Sequence, residues 1–561
     1  METESGSALL TAAQMRAIEG RAMDAGHVTG LELMERAGRG VVAALFETWP
    51  ELAAAPHRAL ILCGPGNNGG DGFVIARLLD DWGWEPEVVL FGEPDRLPPD
   101  AAANHARWCE RGAVRPVPDR GLPIAAGTAV VVDALFGTGL ARPVTGEPLE
   151  RALRDMADCV ATGAGLAVEE RIARAAPLVV AVDIPSGLCA DSGRVLDAGG
   201  THPSGRGAAC GGADLTVSFH RAKPGHLLAE GPALCGRLRV ADIGLGDVRD
   251  PGHAVRVGQP SRSVIAKGEG HKYSHGHALV LSGPMGRSGA ARLAARAALR
   301  VGAGLVTVGA PGDAMAECAA QLTAIMLRQV DGAPDLAALL SDDRITAICL
   351  GPGMGTGQRT REMVAAALGA AGSAVAGRPG RGVVLDADAL TAFAEAPEAL
   401  LERLDAACVL TPHMGEFARL FPDLTGRLAA PPARGPAFSK VDAARAAAER
   451  AGCVVLLKGM DTVIAAPDGA VSVHSAAHGR AAPWLATAGA GDVLAGLIAG
   501  LIARGTDAHR AAACAAWLHV EAARAAGPGL IAEDLPETLP SVFRRLFERD
   551  GAGHGSDRRA P

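Results

Sequence analysis

Lysine is nearly missing from this chain. Of 54 basic residues only Lys223, Lys267, Lys272, Lys440 and Lys458 are lysines. Where a composition avoids a residue so strongly, each survivor invites a reason beyond a solvated surface side chain. The net charge is -8, with no basic stripe, which excludes the electrostatic footprint of a nucleic-acid binder. The 11 cysteines are scattered without a C-x-x-C pair, which points to neither a zinc site nor a disulfide framework and suits a reducing cytoplasm. Apolar stretches such as residues 493–503 are broken by Gly496 and Gly500 and are too short to span a bilayer. The first ten residues carry two glutamates and no basic segment ahead of an apolar core, unlike a targeting peptide. The expectation is a cytoplasmic protein acting on small molecules, with no membrane and no nucleic-acid partner.

What is present is ample apolar material, 48% of 561 residues, too much chain for one ordinary core and suited to two domains of about 200–300 residues each. Residues 10–46 have helical spacing, broken near Gly26 to Gly30. Strand-like runs at 59–63, 88–91, 129–133, 178–183 and 214–219 then alternate with helical patterns, the signature of βαβ units and a mostly parallel sheet. Periodicity fades across 241–267, where Gly, Pro and charge accumulate, and a second α/β series follows with strands at 278–282, 305–308, 347–350, 382–386, 408–411, 454–458 and 462–465. The expected division is a domain over 1–245, a linker over 246–266, a domain over 267–547 and a disordered tail over 548–561. The halves do not read as copies of one repeat.

Residues 64–72, Gly-Pro-Gly-Asn-Asn-Gly-Gly-Asp-Gly, lie between the first strand and a helical run over 73–82. Glycines let a backbone approach a ligand closely, and the helix start offers free N–H groups to an anion. The loop lacks the Lys-Ser/Thr ending of a P-loop and does not fit G-x-G-x-x-G. A plain Asn-Gly turn is the alternative, but a helical rather than a strand pattern follows. Asp133 and Asp183 also fall at strand C-terminal ends, where open α/β sheets bind ligands. Asn68, Asp133 and Ser186 are hard oxygen donors suited to a cation, although either aspartate could merely cap the helix after it.

Taken together, Gly-Pro-Gly-Asn-Asn-Gly-Gly-Asp-Gly, Asp133-Ala-Leu-Phe-Gly-Thr-Gly-Leu140 and Asp183-Ile-Pro-Ser-Gly187 resemble the NAD(P)H-hydrate epimerase family. That resemblance implies a Rossmann-like three-layer α/β/α domain interconverting R and S NAD(P)H hydrate, with potassium held by Asn68, Asp133 and Ser186. It places the hydrate against Asn67, Asn68, Gly69, Gly70 and Asp71, against Gly137, Thr138, Gly139, Leu140, Ala141, Arg142 and Pro143, and against Asp183. Asp133 or Asp183 would serve as acid/base. Arg36 stands where the family usually has Asn.

In the second half Thr411-Pro-His413-Met-Gly-Glu416, Lys458-Gly-Met-Asp-Thr462 and Ala488-Gly-Ala-Gly491-Asp492 each follow a strand or open a helix. A glycine run at a helix start makes an anion hole, and an adjacent Asp can take a proton from a hydroxyl, parts that suit phosphoryl transfer to an alcohol. An ordinary capped loop and a turn histidine are the plainer alternatives. Lys458, a rare lysine ending an apolar strand, is harder to dismiss. With Leu350-Gly-Pro-Gly353 and Asp386-Ala-Asp388 these motifs resemble the ribokinase-like, ADP-dependent NAD(P)H-hydrate dehydratase family. The resemblance implies Mg2+ and ADP, with Lys458, Gly459, Met460, Asp461, Thr462 and Gly491 at the nucleotide and Ala290, Gly353, His413 and Asp492 at the hydrate. Asp492 would be the catalytic base. His271 to Gly276 departs from the usual Lys-Gly-x-x-Gly. The expected protein is a bifunctional isomerase and lyase repairing NADH and NADPH hydrates, S hydrate being dehydrated with ADP to give AMP and phosphate. It is expected to be homo-oligomeric. The competitor is a small-alcohol kinase with an accessory Rossmann-like binding domain.

Overall fold

A computed structural model describes residues 7–197, 210–246, 252–372 and 380–552. The chain divides into two compact units, one of residues 8–253 with 429–440, the other of 254–428 and 441 onward together with the first residues.

The N-terminal unit opens with α1 (Ala12–Asp24) and α2 (Gly30–Thr48), each started by a threonine capping box. Then come β1 (Arg58–Cys63), α3 (Asn67–Asp81), β2 (Glu85–Leu90), α4 (Pro99–Cys109), β3 (Val114–Pro116), β4 (Thr128–Ala134), α5 (Glu147–Gly163), β5 (Leu178–Val182), β6 (Leu215–Phe219) and β7 (Arg237–Ala241). The sheet order is β3-β2-β1-β4-β5-β6-β7, parallel throughout. Strands buried on both faces explain the unbroken apolar runs that marked them in sequence. Residues on opposite faces of the sheet pack into separate clusters: Ile61, Val130, Val132 and Val180 against α2 and α3, and Leu60, Leu62, Val131 and Val179 against α5.

The helix after the glycine loop starts at Asn67, earlier than the run over 73–82 predicted, so the motif is itself the first turns of α3. Gly64, Gly69, Gly70 and Gly72 are required for packing. A Cβ on Gly69 would lie 2.1 Å from the Gly64 carbonyl oxygen, and one on Gly72 2.7 Å from Cys63 Sγ. Poor helix propensity is overridden by how closely α3 must approach β1.

In the second unit the elements are β8 (Ala254–Arg256), β9 (His277–Leu281), α6 (Gly289–Arg300), β10 (Leu305–Ala310), β11 (Met326–Gln329), β12 (Ile345–Leu350), α7 (Gln358–Gly369), β13 (Gly382–Leu385), β14 (Cys408–Leu410), α8 (Met414–Leu420), α9 (Lys440–Ala451), β15 (Val454–Leu457), β16 (Asp461–Ala465), β17 (Val471–Ser475), α10 (Ala490–Ala503), α11 (Ala508–Ala526) and α12 (Asp534–Ala552). These strands run β8-β17-β16-β15-β14-β13-β12-β9-β10-β11, parallel except where β16 pairs with β15 and β17. α10 is buried almost all round, as befits a central helix. Gly496 and Gly500 let it press on α6: a Cβ on Gly496 would stand 2.1 Å from the Ala294 oxygen.

The twelve strand runs read from the sequence are all present. Missed were β3, β7, β8, β11 and β17, and the two-residue strand Ala8–Leu9. The first four are short or edge strands, with β7 and β11 largely solvent-facing, and the serines and His474 of β17 interrupt its apolar pattern. α12 runs on to Ala552, into the segment expected as a tail, and the rest of that segment lies outside the described residues.

Candidate active sites

In the N-terminal unit, β1, β4 and β5 are neighbours, so the residues at their C-terminal ends converge. Asp133 is fully buried and committed to structure. Its Oδ2 accepts from the Ser186 amide (2.8 Å), and its Oδ1 accepts from Ser186 Oγ (2.6 Å) and the Leu135 amide (3.3 Å). Burial pushes its carboxyl up, and these hydrogen bonds work against that rise. Ser186 Oγ in turn accepts from the Phe136 amide at 2.9 Å and lies 3.3 Å from the Phe136 carbonyl oxygen. Asn68 is close by, since a Cβ on Gly137 would sit 2.8 Å from its Oδ1, and its buried Nδ2 has no partner among the described residues. Asp133 and Ser186 are joined, with Asn68 beside the neighbouring Gly137, and the three carry hard oxygens whose chemistry would fit a weakly hydrated monovalent cation.

Asp183 follows β5 in the left-handed region, φ 66°, a conformation that costs a non-glycine residue and is held by its surroundings. Its Oδ1 accepts from Lys223 Nζ (2.7 Å) and Ser218 Oγ (3.2 Å), while Lys223 Nζ also donates to Ser218 Oγ (2.9 Å) and the Phe219 carbonyl (3.1 Å). His226 Nε2 lies 2.9 Å from the Asp183 carbonyl oxygen. Burial pushes the Asp183 carboxyl up, but the Lys223 ammonium overcomes it and holds the group below the usual range. Asp71, on the first turns of α3, goes the other way: burial, then the charges of Asp183 and Glu19, raise it well above a normal carboxyl. Glu19 is raised too, by burial and by Asp183. The site therefore pushes its two carboxyls in opposite directions, Asp183 down and Asp71 up. No motif announced Glu19, Ser218 or His226, and Lys223 was signalled by its rarity alone.

The loop over 137–143 has a neighbour that no motif announced. Residues 429–440, taken from the far part of the chain, belong to this unit, where the Gly435 amide donates to the Ala141 carbonyl at 3.0 Å and Arg194 Nη2 to the Ala430 carbonyl at 2.7 Å. Arg36 lies elsewhere: its Nη1 donates to the Ile243 carbonyl at 3.0 Å, tying α2 to the chain after β7.

In the second unit the C-terminal ends of β12, β13, β14 and β15 stand side by side and face the start of α10. Lys458 Nζ donates to Asp386 Oδ1 at 2.7 Å and lies 4.0 Å from Glu416 Oε2; Thr411 Oγ1 donates to the same Asp386 oxygen at 2.8 Å. His413 caps α8, its Nδ1 accepting from the Gly415 (2.9 Å) and Glu416 (3.3 Å) amides. Thr462 Oγ1 accepts from the Gly459 amide at 3.2 Å, closing the turn after β15. Gly489, at φ 85°, turns the chain into α10 so that Gly491 and Asp492 open the helix; a Cβ on Gly491 would be 3.6 Å from Lys458 Nζ. Asp492 is raised to about 7, by burial first and by Asp386 next, with Lys458 opposing.

A cavity of about 670 Å3 is lined by His413, Lys458, Gly459, Met460, Thr462 and Gly491, with His474 and His519 beside them. Asp461 is not on its wall. Gly353 lies against the Gly283 to Arg287 turn, and Ala290 is in the first turn of α6. His271 to Gly276 is at the N-terminal end of β9, whereas the site residues leave C-terminal strand ends, so this departure is away from the site.

Residues 30–225 match the family model described as YjeF-related protein N-terminus, and 278–540 that described as NAD(P)H-hydrate dehydratase. Along 96% of its length the chain is 34% identical to the bifunctional NAD(P)H-hydrate repair enzyme of Moorella thermoacetica, 97% of which is covered. It belongs to the bifunctional NAD(P)H-hydrate repair enzymes. A second member of this family, from Salinibacter ruber, is 36% identical over 96% of both chains. The NAD(P)H-hydrate epimerase of Rhodobacter capsulatus is 48% identical over 40% of this chain and 94% of its own. Repair enzymes aligned across both units favour the two-enzyme reading over a kinase with an accessory domain.

Proposed function

We propose that this chain repairs hydrated NADH and NADPH in two steps, epimerising R and S hydrates in the N-terminal unit and dehydrating the S form with ADP in the second. The observation that carries the first step is the split pair of carboxyls: the Lys223 ammonium, bonded to Asp183 at 2.7 Å, holds that carboxyl down, and burial pushes Asp71 up. Environments that push two neighbouring carboxyls apart assign an acid and a base. The hydrated ring carbon carries a hydroxyl and the ring nitrogen. Asp71 gives a proton to the hydroxyl, which leaves as water with the push of the ring nitrogen. Water then adds to the other face and gives its proton to Asp183. Asp133, whose oxygens are taken by Ser186 and Leu135, positions rather than reacts. Asn68, Asp133 and Ser186 would hold potassium, which would supply positive charge that orients the hydroxyl. Residues 67–71, 137–143 and Asp183 would bind the hydrate.

For the second step, Asp492, raised to about 7, takes the proton of the ring hydroxyl as that oxygen attacks the terminal phosphorus of ADP. AMP departs. The new phosphoester then leaves as phosphate with loss of a ring proton, restoring the dihydropyridine. Lys458 and the amides at Gly491 would hold the nucleotide phosphates, with Gly459 to Thr462 along the same wall; Ala290, Gly353 and His413 would line the hydrate. A Mg2+ ion bound with the nucleotide would neutralise the charge of its phosphates. Among the described residues no helix is long and apolar enough to cross a membrane.

The test is chemical. Pure R hydrate with ADP and Mg2+ should regain NADH absorbance with the wild type, while D183N should lag to the spontaneous epimerisation rate yet still dehydrate S hydrate. Equal rates on R hydrate would remove Asp183 from the reaction.

A further inference from the structure

A second cavity of the C-terminal unit, about 790 Å3, is used by neither step. Its wall carries Arg256 from β8, Arg480, Arg524 from α11 and Arg545 from α12, against one carboxylate, Glu521. Glu521 Oε1 already accepts from Arg480 Nη1 (2.9 Å) and from Arg524 Nη1. Arg480 lies over the Trp517 ring, its carbon 4.8 Å from the centroid, and its buried Nε has no partner among the described residues. Arg256 is half-buried with no carboxylate partner among the described residues, and its charge bears on His474 and Arg480. His474, pushed down to about 3 by burial and then by Arg480, is neutral and offers no counter-charge at physiological pH. The C-terminal end of α11 supplies only partial negative charge. Arg256 and Arg480 are held partly out of water and share a single nearby carboxylate, Arg524 and Arg545 are exposed, and arginine forks match phosphate oxygens. Trp484, 50% exposed at the rim, offers a flat ring on which a base can stack.

We infer that this cavity is a second ligand site, for a phosphate-bearing anion. It shares Ala481, Ala482 and Pro483 with the wall of the nucleotide cavity, so its occupant would touch the segment that shapes ADP binding. Arg256 and Arg545 line only the second cavity, which makes them the residues to change.

The experiment is calorimetric titration of the full chain with inorganic pyrophosphate and, separately, with AMP. The wild type should show two classes of site and the R256M/R545M variant one, with dehydratase kcat unchanged at saturating ADP. If W484A weakens AMP about tenfold in the second class and leaves pyrophosphate alone, the ligand is a nucleotide; if it weakens neither, the ligand is a free phosphate anion. A single class of site in the wild type, or two classes surviving in R256M/R545M, overturns the inference.

Discussion

Removing the Lys223 ammonium tests both the energetics and the chemistry of the first site. Asp183 and Lys223 are a buried pair, their side chains 11% and 1% exposed, bonded at 2.7 Å. Replacing Lys223 by Met keeps volume and leaves an uncompensated carboxylate, a change that costs about 3–5 kcal/mol. At about 1.4 kcal/mol per pKa unit, even the lower figure is about two units on Asp183. In the wild type the folded pKa lies below the unfolded value of about 3.9, so the pair stabilises above that pH and the contribution is lost as pH falls through the folded pKa. In K223M the order reverses: the folded pKa lies above the unfolded one, so the loss of stability is largest at neutral pH and shrinks as the pH falls toward about 4. The acid limb of the epimerisation profile should move up by about two units in step. Denaturant unfolding at several pH values and epimerisation of pure R hydrate read these outcomes, with dehydration of S hydrate reporting that the second unit is intact. K223R should recover part of both. A K223M protein that epimerises with the wild-type acid limb would refute the reasoning, whatever its stability.

Other outcomes follow from single contacts. D492N should lower dehydration by about 10^2- to 10^4-fold with KM for ADP nearly unchanged, the range for a lost general base. The wild-type rate should rise through about pH 7 as Asp492 ionises, and stopped assays on S hydrate across that pH range check it. G69A puts a Cβ 2.1 Å from a backbone oxygen that cannot move aside, so it should destabilise the N-terminal unit and abolish epimerisation, read by thermal unfolding and the R-hydrate assay. G435A would place a Cβ 2.8 Å from the Leu140 carbonyl oxygen, and should raise the KM of epimerisation several-fold while leaving kcat for S-hydrate dehydration unchanged.

Much of this was legible in the residues. Parallel strands buried on both faces advertise themselves as apolar runs, and aspartates at their ends mark the ligand edge of the sheet. The rarity of lysine was the most productive signal: Lys223 and Lys458 each end up donating to a site aspartate, Asp183 and Asp386. What could not be read is what the chain brings together from afar. Nothing local in Glu19 says that it will face Asp71, and nothing in the stretch after α8 says that residues 429–440 will join the N-terminal unit and meet Ala141. The start of α3 was misplaced because propensity argues against glycine in a helix, whereas the close packing that demands it is tertiary.

The central claim is that one chain performs both steps. The most direct measurement supplies an equal mixture of R and S NADH hydrate with ADP and Mg2+ and follows restored NADH absorbance, with spontaneous epimerisation subtracted. The account predicts full recovery by the wild type and arrest near half for D183N. Arrest at half with the wild type would contradict the epimerase, and no recovery would contradict both activities.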